Sequence, residues 1–148
     1  MYQELFLKQF TKIILLFIVG GLSISYILFS KKYWDRFEKY KDDILAKCMI
    51  KGIIVFCFCC FVRLSAWPMI KDKPLIDDNK YELLDNATVI QGVTRGGIFG
   101  LCEDIIVEYD DKEYDLNVVK ADDNINKGDI VKVIYLPNSE YAVIEKIN

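Results

Sequence analysis

The 17 residues Lys51–Trp67, KGIIVFCFCCFVRLSAW, constrain this chain more than any other stretch. A bilayer core is crossed by about 20 predominantly apolar residues, so this run is just long enough to span one. Trp67 and Pro68 mark its outer edge, and Arg63 is its one interior charge. The residues before it read as membrane-bound, and those after it read as a folded domain in water.

Charge divides the chain at the same place. Residues 1–70 carry 10 Lys/Arg and 5 Asp/Glu, a net of +5, and residues 71–148 carry 9 and 17, a net of −8. The acidic half argues against a nucleic-acid partner, because phosphate binding needs a basic surface. The chain has no histidine, which removes the usual general base and the commonest metal ligand. Of five cysteines, only Cys102 lies in the acidic half, so no disulfide forms within it.

A second apolar run, Ile13–Ser30, is uncharged over 18 residues. A signal peptide would also begin this way. However, Tyr26-Ile27-Leu28-Phe29 continues the apolar run past any cleavage site, so the expectation is a retained helix. Gly20 and Gly21 would let another helix approach closely. Between the runs, Trp34, Phe37, Tyr40, Ile44 and Cys48 recur at helical spacing, which gives an amphipathic connector. Residues 31–51 hold seven basic residues: Lys31, Lys32, Arg36, Lys39, Lys41, Lys47 and Lys51. By the positive-inside rule this connector is cytoplasmic, which places both termini outside.

From Ala87 the pattern becomes short β-rich runs separated by turn residues. Ala87–Thr94, Asp104–Tyr109, Glu113–Val119, Asp129–Leu136 and Tyr141–Ile147 are the expected strands. Five short strands in so few residues suggest a closed barrel similar to an OB-fold. The expected fold is therefore α+β: a two-helix transmembrane hairpin followed by a small five-stranded antiparallel OB-like β-barrel. Its parts are residues 1–30 (lead-in and first span), 31–50 (connector), 51–70 (second span), 71–86 (polar linker) and 87–148 (barrel).

Few residues suggest chemistry. Arg63 lies about 6 Å inside the Trp67 edge at 1.5 Å per residue. Its counterpart on the first helix, Leu16–Ile18, is apolar, so Arg63 either snorkels to the headgroups or meets a partner protein or a second copy of this chain. Cys57, Cys59 and Cys60 point around one helix instead of converging as zinc ligands do, and read as packing residues. Cys48, near a helix end, is the cysteine best placed for palmitoylation. The loop from Asp122 to Gly128 mimics a calcium loop, but glycine falls at position 7 and Val133 stands where the bidentate glutamate belongs. Gly96–Gly100 lacks the strand–loop–helix setting of a phosphate loop. Glu103, Asp104, Glu108, Asp110, Asp111, Glu113 and Asp115 form an acidic run with no nucleophile beside it. It reads as a solvated strand edge or as a docking face for a basic partner.

The pattern Gly128-Asp129-x-Val131-x-Val133-x-Tyr135-x-Pro137-Asn138 resembles the closing motif of a family of uncharacterised bacterial membrane proteins. These pair transmembrane helices with a small β-domain. Ile106–Tyr109 and Glu113–Tyr114 fit the family's hairpin. The chain departs from the pattern at Asp111-Lys112, where a glycine is usual, and at Glu140, which replaces a second proline. The order of helices and barrel also resembles NfeD-type proteins, in which membrane helices precede an OB-fold that accompanies a membrane protease. The first resemblance implies structural roles for Gly128, Asp129, Val131, Val133, Tyr135 and Pro137, and neither implies catalytic residues.

Together these features describe a multi-pass cell-membrane protein with an extracytoplasmic β-domain that binds and does not catalyse, without cofactor or metal. The expected partners are the bilayer and another membrane or secreted protein. Arg63, Gly20, Gly21, Glu108, Asp110, Asp111, Glu113 and Asp115 are the candidate contacts. An immunity-type protein that neutralises a secreted toxin fits this description. An accessory subunit of a membrane protease or secretion complex is the alternative.

Overall fold

A computed structural model describes residues 1–34, 44–96 and 102–147. The chain forms two compact units: Thr11–Pro68, and a second that combines Met1–Phe10 with Met69–Asn148.

Within Thr11–Pro68, helix α1 (Tyr2–Phe29) leads through a short α2 (Lys31–Trp34) and, beyond residue 43, into α3 (Ile44–Phe61). Phe17 packs on Phe58 and Phe61, with ring centroids 6.3 and 5.3 Å apart. The Phe58 ring also lies against Gly20 and Gly21. Contacts that advance along α1 recede along α3, so the helices run antiparallel. The helix that the glycines admit is the chain's own α3. Both long helices have the length and apolar character to cross a membrane. Almost none of their apolar side chains is buried by the protein itself, as expected of helices that face lipid. Cys57, Cys59 and Cys60 are exposed on α3, so the chain itself does not cover them. The connector residues 35–43, including Phe37 and Tyr40, lie outside the described residues.

The second helix does not end at Trp67. It passes through a π-helical turn (Val62–Ala66) into α4 (Trp67–Asp77). Pro68 explains the turn. Its ring removes an N–H and would collide with the carbonyl four residues earlier. A wider turn, in which the Trp67 N–H reaches Val62 O, carries the helix past this point. The expected linker 71–86 is thus helix as far as Asp77 and strand from Glu82.

The other unit holds the barrel: β1 (Glu82–Gly96), β2 (Cys102–Tyr109), β3 (Lys112–Ala121), β4 (Ile130–Tyr135) and β5 (Tyr141–Lys146). The strands close in the order β1-β2-β3-β5-β4. All neighbours are antiparallel except β3 and β5, which pair in parallel from Asn117 to Ala121 and Tyr141 to Ile144. This corrects the expectation of an all-antiparallel barrel. Five strands cannot alternate direction around a closed ring, so at least one parallel pair is obligatory. β1 serves both β4 and β2, and its pairing shifts between Leu84 and Ala87 and again between Val89 and Thr94. Such irregularities bend a strand enough to close a small barrel.

The barrel interior is filled by Leu84, Ala87, Val89, Ile105, Val107, Leu116, Val131, Val133, Tyr135, Ala142 and Ile144, with Ile125 plugging one end. A second apolar layer lies outside it. Ile134, Leu136 and Val143 have outward parity yet are buried, and so are Phe6, Met69 and Ile76. Three contacts tie the start of α1 to the rest of this unit, one to β5, one to the end of α4 and one to Tyr81 just before β1. The Tyr2 hydroxyl donates to Glu145 at 2.6 Å, the Gln3 amide donates to the carbonyls of Ile76 and Asp77 at 3.2 Å, and Phe6 stacks at 5.2 Å on Tyr81. The first ten residues are thus part of this folded unit and not a lead-in.

Asp72 fixes α4 to the same end. It is the one buried charged residue among the described residues. One carboxylate oxygen accepts from the Asn138 amide side chain at 2.6 Å and, at 3.3 Å, from its backbone N–H. The other accepts from the Ser139 N–H at 2.8 Å and its hydroxyl at 2.6 Å. The β4–β5 turn therefore closes around a carboxylate supplied by the helix. This is how a buried charge is accommodated without a cation.

Candidate functional site

The β2–β3 hairpin carries the strongest surface feature. Alternation sends Ile105, Val107 and Leu116 inward and leaves Asp104, Ile106, Glu108, Glu113 and Asp115 outward. The register sets Glu108 directly opposite Glu113 and Ile106 opposite Asp115. Asp104 faces Asn117 one pair further along. On the other side of β2, the β1 residues Thr88, Gln91 and Thr94 pair with Glu108, Ile106 and Asp104. The result is an acidic strip with one apolar residue at its centre and neutral polar residues on its β1 border.

The turn adds two more carboxylates. Asp110 and Asp111 both hold left-handed backbone, with φ of 49° and 57°. A two-residue hairpin with positive φ at both positions matches the twist of its strands. Asp tolerates this conformation better than most residues, and glycine better still. The run thus meets the turn's needs without a glycine.

Like charges directly across a strand pair are destabilising. Among the described residues none of the hairpin carboxylates takes part in an ion pair. Asp104 registers the crowding: partial burial, and then the charge of Asp115, hold its carboxyl above the ordinary carboxylate value. Glu103 has inward parity but is exposed near the start of β2, apart from this strip.

The motif residues at the other end of the barrel are bound into the fold. Gly128 takes φ of 91°, and its N–H donates to Val89 O at 2.8 Å. Asp129 accepts from the Lys146 ammonium at 2.7 Å and from the Asn126 N–H at 2.8 Å, and the first bond, then the second, holds its carboxyl below its ordinary value. The same ammonium reaches Asn124 O at 3.2 Å. The centre of the calcium-like loop is thus filled by the chain's own cation. Val131, Val133 and Tyr135 are core residues, and Pro137 opens the β4–β5 turn on the surface. The Tyr135 hydroxyl donates to Glu82, and burial together with that bond pushes its pKa up. Gly92 lies where the 122–129 loop crosses β1, and a Cβ there would come within 3.1 Å of Ile125 O.

Arg63 is exposed in the π-helical turn, its guanidinium 5.6 Å from the centroid of Trp67. That ring, one turn away, is a partner that the sequence expectation does not include, although Arg followed at i+4 by Trp on a helix is a visible signal. The segment Gly97–Leu101 lies outside the described residues. Among the described residues, no three His, Cys, Asp or Glu side chains gather as metal ligands would. Comparison with known protein families, curated proteins and solved structures finds no match to this chain.

Proposed function

We propose that this chain is a membrane-anchored binding protein whose β2–β3 strip docks a basic protein surface. The observation that supports it is Glu108 facing Glu113 within a strip of uncompensated carboxylates. Such a strip costs the isolated domain stability, and a cationic partner reverses the sign of that cost. Ile106 at its centre supplies an apolar contact inside a charged rim, the usual plan of a protein interface. An immunity-type role against a secreted basic protein fits these chemical demands.

The second unit supports a hairpin topology. Residues 1–10 and 69–148 fold together, which is consistent with both lying on one side of the membrane and with the two candidate spans between them crossing it in opposite directions. The seven basic residues of 31–51 favour a cytoplasmic connector, which leaves the strip outside the cytoplasm.

The test compares the full chain with a neutralised variant carrying Asp104→Asn, Glu108→Gln, Glu113→Gln and Asp115→Asn. A control carries Asp77→Asn, Asp78→Asn and Asp85→Asn. After cross-linking in the native membrane, partners that are recovered with wild type and control and lost with the neutralised strip support the reading. The same partners on all three contradict it.

A further inference from the structure

Unit Thr11–Pro68 contains a feature that protein docking does not use. Leu28 and Phe29 of α1 and Lys51, Gly52, Val55, Phe56 and Cys59 of α3 line an open groove of about 580 Å³. That volume falls within the roughly 300–1,000 Å³ of small-molecule sites. Its walls are apolar apart from Lys51. Gly52 opens its floor, since a Cβ there would meet nothing within 4 Å. The Lys51 ammonium is held 5.4 Å above the Trp34 ring, and the Trp34 indole donates to Ile27 O at 2.8 Å, so this cation has a defined place at the mouth. Lys31 and Lys32 are exposed just beyond Phe29. The described residues of this unit hold no carboxylate, and over the whole of 31–51 seven basic residues outnumber four acidic ones.

We propose that this groove is a binding site for an anionic phospholipid, with one acyl chain along Leu28, Val55, Phe56 and Cys59 and the phosphate at Lys51. The inference rests on the two helices spanning a membrane, and is independent of the acidic strip. The occupant follows from complementarity. An apolar trough that faces lipid is filled by a hydrocarbon chain, and a fixed ammonium at its mouth selects a headgroup with net negative charge. Basic pockets between membrane helices on the cytoplasmic side bind anionic headgroups in this way. A zwitterionic lipid fills the same trough without that selection.

The experiment uses the full chain in nanodiscs of phosphatidylcholine containing a few mole per cent phosphatidylglycerol, with retained lipid counted by native mass spectrometry. Wild type retains phosphatidylglycerol over phosphatidylcholine. Lys51→Gln lowers that preference about fivefold, the change that roughly 1 kcal/mol per lysine near an anionic surface produces. Gly52→Leu, which leaves the charge in place, fills the floor and reduces retention of both lipids. A second readout needs no change at the site. In a Trp67→Phe background, Trp34 fluorescence is quenched more by brominated phosphatidylglycerol than by brominated phosphatidylcholine at equal mole fraction. Soluble glycerol phosphate leaves this quenching unchanged if a whole lipid is the ligand. Equal retention and equal quenching by the two lipids would overturn the proposal, as would displacement by glycerol phosphate.

Discussion

Replacing Asp72 by alanine removes the acceptor of four hydrogen bonds that join α4 to the β4–β5 turn. Hydrogen bonds to a charged group contribute a net of about 1.5–3 kcal/mol each. Three of the four are short, and those three alone sum to about 4.5–9 kcal/mol before any offset. Two effects reduce that sum. Asn138 is exposed and recovers water, and the variant no longer has to desolvate a carboxylate. Breaking buried charged networks costs about 3–5 kcal/mol in general, and the exposed side of this turn points to the lower end, about 3 kcal/mol. A unit of this size loses about 4–8 °C of Tm per kcal/mol, so Asp72→Ala is expected to melt roughly 12–24 °C lower. Asp72→Asn keeps the shape but turns an NH2 towards donors, and is expected to lose nearly as much. The assay is thermal melting of the full chain in detergent, with hydrogen exchange then measured at the Asn138 and Ser139 amides. A Tm within about 2 °C of wild type, with the Ser139 amide still protected, would refute the reasoning.

Three further outcomes are expected. Phe6→Ala should destabilise the barrel by about 3–5 kcal/mol, since it empties a fully buried site; unchanged exchange in β5 would show that the first ten residues are not part of its core. Asp111→Gly should stabilise the hairpin by about 0.5–1 kcal/mol by relieving left-handed backbone, measured by denaturant unfolding; destabilisation would show that its carboxylate matters more to the fold than its φ. Asp104→Asn should raise stability slightly at pH 7, by under about 0.5 kcal/mol given solvent screening. The sign comes from the raised folded-state value: protonation favours the fold, so wild type has this stability in full below the ordinary carboxylate value near 3.9 and loses it as pH rises through the folded one. The gain in the variant should therefore vanish in acid, and a gain independent of pH would assign it to something other than charge.

The barrel was legible because its strands alternate. Val131, Val133 and Tyr135 stand two apart, and the inward positions of β2 and β3 do the same. The parallel β3–β5 pair was implicit in the strand count, because an odd ring cannot alternate. The second apolar layer was hidden for a different reason. Met69, Asp72 and Ile76 make a helical stripe, but its central member is charged and the segment holds two prolines, so it reads as a polar linker. Only the turn at Asn138 and Ser139, far along the chain, shows why an aspartate belongs in that stripe. Phe6 was concealed likewise, since one aromatic residue before a membrane span carries no record of where it packs. The acidic run was visible in sequence. Which of its members share a face was not, because that depends on the register that sets Glu108 against Glu113.

The central claim is that both ends of the helical hairpin belong to one folded unit outside the cytoplasm. Two single-cysteine chains test it most directly, one with Glu4→Cys and one with Asp123→Cys, both exposed positions, with the native cysteines replaced. Each is treated in intact cells with a membrane-impermeant maleimide. Both are expected to be labelled before permeabilisation. Labelling of one and protection of the other would contradict the shared unit, and protection of both until the membrane is opened would contradict the outward orientation.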